Sequence, residues 1–304
     1  MSDDDQSDIP PKGDDQRILA PPMFVENAFD RLVATSQRVT ELLSYLRSHV
    51  GSVVSIPPGA PPVDGDWVKC DELTSHGAWL KSVIVSSGET LGTSDETVAA
   101  SLFVQNYAYR VFTLGVAYAL SSGVLPDLSA GAMAISLRSG RPANVAFTSS
   151  TALVLGSNAH RVDHVLADVS VRREMIDFLL DRAIDQHLAL LVDAVRSQFR
   201  VGQRLLWGNI ASSAAMAFRT MEGILGTWVR PLGEQLFELA PAQLTGLGSF
   251  LSLEVSGNRG WYWERTNCCL HDQLQSGIRC SDCSLTPSEE RRCQYLNELK
   301  RPQP

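Results

Sequence analysis

The feature that most constrains this chain is a cluster of four cysteines within sixteen residues near its carboxyl end. Cys268 and Cys269 are adjacent, ten residues follow, and Cys280 and Cys283 are then separated by two residues. The chain has 304 residues and six cysteines, which is not the composition of a disulfide scaffold. In a reducing compartment, closely spaced thiols most often bind a soft metal centre, either tetrahedral zinc or an iron–sulfur cluster. The cluster therefore predicts a metal-binding segment.

The spacing of the cysteines bears on which metal is bound. Structural zinc sites are usually built from two C-x2-4-C pairs, and Cys280 with Cys283 fits one such pair. Cys268 and Cys269 do not form the other, because neighbouring side chains in extended backbone point to opposite sides. A [2Fe–2S] cluster has two irons that each need two thiolates, so its ligands are spread more widely. The adjacent pair favours iron–sulfur and leaves zinc open.

Residues 265–285 resemble the C-terminal signature of the FhuF-like ferric-siderophore reductases, C-C-x10-C-x2-C. The stretch Trp207-Gly208-Asn209 also resembles a helix of that family that contains Trp-Gly-Asn. One departure is His271-Asp272, where the family leads us to expect aromatic residues. The resemblance implies that one [2Fe–2S] cluster is bound by Cys268, Cys269, Cys280 and Cys283.

The same resemblance implies a function. It points to a cytoplasmic enzyme that reduces siderophore-bound Fe(III) by one electron and releases Fe(II), with a ferric siderophore of hydroxamate type as substrate. The sequence contains no G-x-G-x-x-G, Walker A or G-x-S-x-G motif, and thus no recognisable NAD(P)H or flavin site. We therefore expect the electrons to come from a separate protein such as a ferredoxin or flavodoxin. The alternative is a non-enzymatic zinc- or iron–sulfur-binding interaction or sensor protein.

Aromatic and basic residues precede the cysteines and suggest a substrate contact. We expect Trp261 and Trp263 to form an apolar floor for the siderophore, with Arg259 or Arg265 binding its oxygens. The alternative is that the aromatic run keeps water away from the metal.

Other candidate ligands are less persuasive than the clustered cysteines. Cys70 is interpreted as a small buried hydrophobe and Cys293 as a free thiol without a role in the metal site. His160 and His164 are interpreted as part of a polar turn, because the residues between them do not make the H-E-x-x-H motif.

Hydrophobic periodicity predicts a mainly α fold with a small antiparallel β element, an α+β class with an irregular cysteine-rich end. Residues 1–22 are predicted to be a disordered acidic tail, 23–255 a mainly helical FhuF-like domain, and 256–304 the [2Fe–2S]-binding segment. We expect an amphipathic helix between Phe29 and Val50, a stiff proline cluster at 57–62 and a β-hairpin near 132–148. A further stripe of apolar residues predicts one helix that contains Met175, Leu179, Ile184, Leu188, Leu191, Val195 and Phe199.

Charge and hydropathy argue against two classes of protein, general nucleic-acid binders and integral membrane proteins. The net charge is −8, of which residues 1–16, with six aspartates and one lysine, contribute −5. The remaining −3 argues against a general nucleic-acid binder, which needs a basic surface. The most apolar run, residues 111–120, is about half of the ~20 residues that span a bilayer. We therefore expect no integral membrane segment and a cytoplasmic location.

Overall fold

The computed structural model describes residues 66–149, 151–155, 162–275 and 277–301. Four features discussed above lie outside these residues: the acidic tail 1–22, the helix expected between Phe29 and Val50, the proline cluster 57–62, and His160.

The described chain is mainly helical with small antiparallel sheets, which confirms the predicted α+β class. Its helices are α1 (Cys70–Ser75), α2 (Gly77–Thr90), α3 (Glu96–Ser122), α4 (Val162–Val165), α5 (Val169–Leu179), α6 (Ala189–Gln198), α7 (Gln203–Leu225), α8 (Arg230–Glu238) and α9 (Ser288–Leu299). A π-helix, Leu180–Leu188, joins α5 to α6. No helix within these ranges combines the length and the apolar composition that a bilayer span requires.

The strands of the described part of the chain form three small antiparallel sheets. They are β1 (Asp66–Lys69), β2 (Val124–Pro126), β3 (Met133–Arg138), β4 (Arg141–Phe147), β5 (Ala152–Val154), β6 (Gly248–Val255) and β7 (Asn258–Arg265). β3 lies between β1 and β4, β2 pairs with β5, and β6 pairs with β7. The β3–β4 hairpin lies where a hairpin was expected. The turn between β6 and β7 lies at the expected boundary between 255 and 256, and the division into domains stays a prediction.

The centre of the core is the contact between the two long helices α3 and α7. Residues 211–215 of α7 are Ala or Ser and are all buried. Small side chains let the two helix backbones come close, and Ser213 Oγ donates a hydrogen bond to the carbonyl of Gln105 on α3 at 2.9 Å. The stretch of small residues therefore serves helix packing.

Local signals set both ends of α3. The Asp95 carboxylate accepts hydrogen bonds from the N–H groups of Thr97 at 2.7 Å and Val98 at 3.1 Å, so Asp95 is the N-cap. Thr93, which has the spacing of a capping box with Glu96, instead accepts a hydrogen bond from the Asp95 N–H. The helix ends at Gly123, whose φ of 68° is left-handed and favours glycine.

The apolar stripe predicted as one helix is a composite of α5, the π-helix and α6. All seven of its residues are buried. Four of its six steps are of four residues and one is of three, but Leu179 to Ile184 is a step of five. A π-helix hydrogen-bonds from i to i+5, so the extra residue is accommodated without turning the stripe away from the core.

The π-helix places a histidine inside the core. His187 is fully buried, its Nδ1 lies 2.6 Å from the Leu128 carbonyl oxygen, and its Nε2 lies 2.7 Å from the Tyr107 hydroxyl. Because a carbonyl oxygen only accepts, Nδ1 carries the proton and Nε2 accepts from Tyr107. Burial is the main reason that the pKa of His187 is lowered to about 4, against smaller raising effects of the Leu128 carbonyl and of Asp127 and Asp71.

This histidine makes stability depend on pH. An unfolded histidine titrates near 6.5, so below that pH the unfolded chain binds a proton that folded His187 refuses until about pH 4. The contribution of neutral His187 is fully present above the unfolded pKa and is lost as the pH falls. We expect the free energy of unfolding in urea to drop by about 2 kcal/mol between pH 7.5 and pH 5 from this group. His187→Gln should flatten that slope and the exposed control His76→Gln should keep it; equal slopes would contradict the assignment.

Candidate metal centre

The cysteine segment begins where β7 ends, at Arg265, and is closed by α9. Its described residues are irregular apart from a 3-10 turn, His271–Gln273. Leu270, directly after the adjacent cysteines, has a φ of 67° and turns the chain sharply. As a result the N–H of Leu270 donates to Cys268 Sγ at 3.2 Å, and the N–H of His271 hydrogen-bonds the Cys269 sulfur. Backbone N–H groups directed at sulfur stabilise thiolate charge.

Two of the four clustered cysteines are in contact. The Sγ atoms of Cys269 and Cys280 are 3.5 Å apart. Two thiolates that share one tetrahedral metal ion are separated by about 3.8 Å, given metal–sulfur bonds of about 2.3 Å. Cys269 is buried, whereas Cys280 is partly exposed. This pair therefore has the spacing of two ligands on one ion, and it joins one cysteine from each half of the sequence cluster.

The same pair shares a proton in the absence of metal. The pKa of Cys269 is lowered to about 6, chiefly because the Cys280 thiol donates a hydrogen bond to its sulfur, with burial opposing the shift and the positive charge of Arg265 adding to it. The pKa of Cys280 is raised, because it is the donor and sits beside a thiolate. A thiolate is the form of cysteine that binds metal.

The other two clustered cysteines are held differently. Cys268 lies 3.5 Å from the Asp272 carboxylate, and the pKa of its thiol is raised, chiefly by burial. Cys283 is buried, and its N–H donates to the Cys280 carbonyl at 3.1 Å. Within the described ranges no three Cys, His, Asp or Glu side chains converge on one point as metal ligands would. The assignment of all four cysteines as ligands stays a prediction.

A buried arginine supports the view that this segment accommodates negative charge. Arg265 is 2% exposed, and its Nη1 has no hydrogen-bond partner among the described residues. Its Nε donates to the Asn267 carbonyl at 2.7 Å and its Nη2 to Asn209 Oδ1 at 2.7 Å. A buried cation is costly unless an anion lies nearby, and its charge acts on both Cys269 and Cys280. The thiols of Cys269 and Cys280 beside this guanidinium thus fit an anionic thiolate-bound metal group.

A hydrogen-bond network fixes the segment to the core helices. Asn209 of α7 donates through Nδ2 to both the carbonyl and the hydroxyl oxygen of Ser101 on α3, each at 2.8 Å. The Ser101 hydroxyl in turn donates to the Cys269 carbonyl at 2.7 Å. Since Asn209 also accepts from Arg265, one amide connects α3, α7, β7 and the cysteine segment. These residues are completely buried or nearly so.

Gly208 lets this connection form. A Cβ atom added to Gly208 would overlap the side chain of Asn267, the residue before Cys268. The Trp-Gly-Asn stretch is therefore a docking surface for the cysteine segment: the glycine allows the approach and Asn209 supplies the hydrogen bonds.

The substrate contacts expected near β7 are corrected by the structure. Trp261, Trp263 and Arg265 are each at most 2% exposed, so they have no surface to offer a siderophore. Trp261 donates through Nε1 to Glu234 at 3.2 Å, and Trp263 through Nε1 to Ser212 at 3.1 Å. These tryptophans are core residues because helices cover the face of the strand on which they lie.

Arg259 is exposed but lies at the wrong end of β7. It is six residues before Arg265, which is about 20 Å along a strand. Its Nε donates to Glu254 on the neighbouring strand at 3.0 Å. A contact between Arg259 and a molecule bound beside the cysteines is therefore not supported.

Two residues of α9 that the sequence analysis did not single out donate hydrogen bonds to the backbone around Cys280 and Cys283. Arg291 donates through Nη1 to the carbonyls of Cys283 at 2.8 Å and Thr286 at 3.1 Å. Tyr295 donates to the Ser281 carbonyl at 3.0 Å. Arg291 and Tyr295 are four residues apart and both are buried, so this helical spacing was a signal in the sequence. Among the described residues no side chain caps the start of α9, which Pro287 precedes.

Replacing Arg291 should loosen the Cys280–Cys283 turn. In Arg291→Gln the two carbonyls lose a charged donor, which is worth about 1.5 kcal/mol or more and so about tenfold in local opening. We expect amide hydrogen exchange across residues 280–286 to be faster by that factor. The matched control Arg292→Gln removes an exposed arginine one residue along, and equal exchange in the two variants would contradict the role of Arg291.

Comparison with known proteins gives one sequence match and weak structural ones. Residues 101–256 match a protein-family model described as "Ferric iron reductase FhuF-like transporter". The matched region includes most of α3 and all of α7 and ends before the cysteine segment, so it does not test the ligands. No curated protein matches the chain significantly in sequence.

Three solved structures illustrate the structural similarity. ATP-bound aerobactin synthetase IucA from a hypervirulent pathotype of Klebsiella pneumoniae is 11% identical with a TM-score of 0.47, over 63% of this chain and 40% of that one. Aerobactin synthetase IucC from the same source is 11% identical with a TM-score of 0.49, over 74% and 47%. The petrobactin biosynthesis protein AsbB from Bacillus anthracis str. Sterne is 10% identical with a TM-score of 0.42, over 76% and 46%. The chain spans less than half of each, and likeness this weak does not bear on activity.

Proposed function

The chain belongs to the FhuF-like ferric iron reductase family, and from that premise we propose that it reduces ferric siderophores by one electron and releases Fe(II). The observation that carries the proposal is the contact between Cys269 and Cys280 beside the buried charge of Arg265. A thiol pair with one lowered pKa and a neighbouring cation is suited to bind a redox metal.

The residues that would hold the metal group are Cys268, Cys269, Cys280 and Cys283. As a [2Fe–2S] cluster, the group would supply one-electron transfer at a negatively charged site. Residues of the chain would stabilise that negative charge. Arg265 provides a buried positive charge, and the N–H groups of Leu270 and His271 donate to the sulfurs of Cys268 and Cys269.

One electron is sufficient to release the iron. Hydroxamate and related siderophores bind through hard oxygens, which hold Fe(III) far more tightly than Fe(II). The ferric complex gains one electron and becomes ferrous, and the siderophore is left chemically unchanged. For a one-electron couple, about 59 mV changes the equilibrium tenfold, so a modest difference in potential drives the step. The electron would come from a separate donor such as a ferredoxin or flavodoxin. The reducing cytoplasm that we expect from the cysteine content would suit these thiols.

Metal analysis and a reoxidation assay test the proposal. Purified protein should contain iron and acid-labile sulfide, with visible absorption bands that bleach on addition of dithionite. The reduced protein should then be reoxidised by a ferric hydroxamate faster than by buffer alone, while a chelator traps Fe(II). Colourless protein with one zinc per chain would favour the non-enzymatic sensor instead. Iron-loaded protein that no ferric siderophore reoxidises would refute the reductase activity.

A further inference from the structure

A cleft of about 370 Å³ opens beside the cysteine segment. It lies between the end of α2, one face of α3, the small-residue stretch of α7 and residues 280–282. Cys280 is the cysteine found in its wall within the described chain, and the buried Cys269 sits 3.5 Å behind it. A molecule in this cleft would therefore be in contact with Cys280, one thiol of the pair, a position that the tryptophans of β7 do not offer.

Uncharged hydrogen-bonding side chains form part of the walls of the cleft, beside apolar ones. Gln105, Asn106 and Tyr109 face it from α3, and Arg141 faces it from the start of β4. These four residues are partly exposed, so their side chains are accessible. Amide, phenol and guanidinium groups donate to carbonyl and hydroxamate oxygens, which form the outer surface of an oxygen-liganded ferric complex.

Two arginines raise the positive potential on one side. Arg110 donates to the carbonyls of Ala143 at 2.8 Å and Asn106 at 3.1 Å, and Asn106 lines the cleft. The pKa of Arg110 is lowered to about 10, first by burial and then by the charge of Arg141 nearby. Within the described ranges neither guanidinium forms an ion pair with a carboxylate, so this side of the cleft favours a ligand that brings oxygen lone pairs.

The remaining charge in the wall limits how negative the ligand can be. Asp282 also lines the cleft and is only 7% exposed. Its carboxylate repels a polyanion, whereas a complex of low net charge is tolerated. A ferric tris-hydroxamate fits this pattern better than a triply negative tris-catecholate.

We propose that this cleft is the docking site of the ferric complex, that Arg141 and Tyr109 bind its outer oxygens, and that Cys280 is the thiol it approaches. The inference rests on the proposed function and adds to it the location and the recognising residues. On docking, the electron passes from the reduced protein to Fe(III), and the Fe(II) formed leaves the weakened complex.

Binding and reduction are tested separately. The Ga(III) complex of a tris-hydroxamate such as desferrioxamine B has the shape of the Fe(III) complex but is not reduced, so calorimetry with the full chain measures docking alone. Arg141→Gln should weaken binding about tenfold, the effect of losing one charge-assisted hydrogen bond. Met216→Trp, which fills the cleft, should weaken it further. The matched control is Arg138→Gln, an exposed arginine that pairs with Arg141 in the same hairpin and does not line the cleft.

The same variants are then compared in the reoxidation assay with the Fe(III) complex. If Arg141→Gln and Met216→Trp raise the half-saturating concentration and Arg138→Gln does not, the cleft is the docking site. If all three behave like the parent protein while the parent reduces the complex, the docking inference is wrong and the reductase stands. If the parent binds the gallium complex through Arg141 but does not reduce the iron complex, the reductase is wrong and the docking site stands. No binding and no reduction by the parent protein would overturn both.

Discussion

Replacing Cys280 with serine is expected to abolish metal binding, with iron and acid-labile sulfide falling to about a tenth of the parent content or less. Cys280 is the cysteine that contacts Cys269 at 3.5 Å, and it belongs to the second half of the sequence cluster. Its loss breaks the one thiol pair that already has ligand spacing, and serine replaces a soft sulfur with a hard, protonated oxygen. The visible absorption of purified protein should disappear together with the metal.

Cys293→Ser is the control for this change. Cys293 is exposed on α9 and lies outside the C-C-x10-C-x2-C pattern, so its removal should leave the metal content and the absorption spectrum unchanged. Iron retained by Cys280→Ser, or lost from Cys293→Ser, would contradict the ligand assignment.

The structural consequence of losing metal should be local. Tyr262 of β7 stacks on Tyr295 of α9 with ring centroids 4.1 Å apart, and Leu253 and Leu299 pack in the same small core. This contact joins α9 to the β6–β7 hairpin without any metal. In the Cys280→Ser protein we therefore expect faster hydrogen exchange at residues 266–287 and persistent protection in α9.

Elements with local signals could be predicted from the sequence. α3 has a capping carboxylate at Asp95 and a glycine at its end, and the β3–β4 hairpin follows from a turn between apolar runs. The π-helix also had a signal, since the apolar stripe contains a step of five between Leu179 and Ile184. One continuous α-helix was expected because three- and four-residue steps dominate the rest of the stripe.

The environment of β7 could not be predicted, because burial of a strand face depends on distant elements. Successive side chains of a strand alternate between faces, so Trp261 and Trp263 share one face and Tyr262 lies on the other. The tryptophans contact the main core and Tyr262 contacts α9, which leaves both faces covered. An aromatic run beside a ligand segment was therefore interpreted as a docking surface when it is a strand buried on both sides.

The sequence singles out the cysteines, whose role as metal ligands stays a prediction, but it does not reveal the residues that hold the cysteine segment in place. The cysteine spacing is a local pattern, but Ser101 and Asn209 are separated by 108 residues and contact each other only because α3 and α7 pack together. The same packing creates the cleft that contains Arg141. Neither hydrogen bonding across helices nor a cleft between them is encoded in any short stretch of sequence.

Asn209→Leu should have the largest effect on stability, a loss of about 3–5 kcal/mol in the free energy of unfolding. The leucine fills the space but removes the partner of the Arg265 guanidinium and both hydrogen bonds to Ser101. The buried Arg265 guanidinium then loses the hydrogen bond of its Nη2, in addition to the one that its Nη1 already lacks among the described residues. Urea unfolding of the metal-free protein measures the cost. Gln203→Leu, at the exposed start of the same helix, should change stability by less than about 0.5 kcal/mol.

A milder variant keeps the network testable if Asn209→Leu fails to fold. Ser101→Ala removes the hydroxyl that links Asn209 to the Cys269 carbonyl and should cost about 1–2 kcal/mol. Because both side chains act on the same segment, Ser101→Ala should cost about 1 kcal/mol less when Asn209 is already alanine than in the parent chain. If the losses in free energy of unfolding of the two single variants add up to that of the double variant within about 0.5 kcal/mol, the two side chains act independently. That result would contradict the coupling of α3 to the cysteine segment through Asn209.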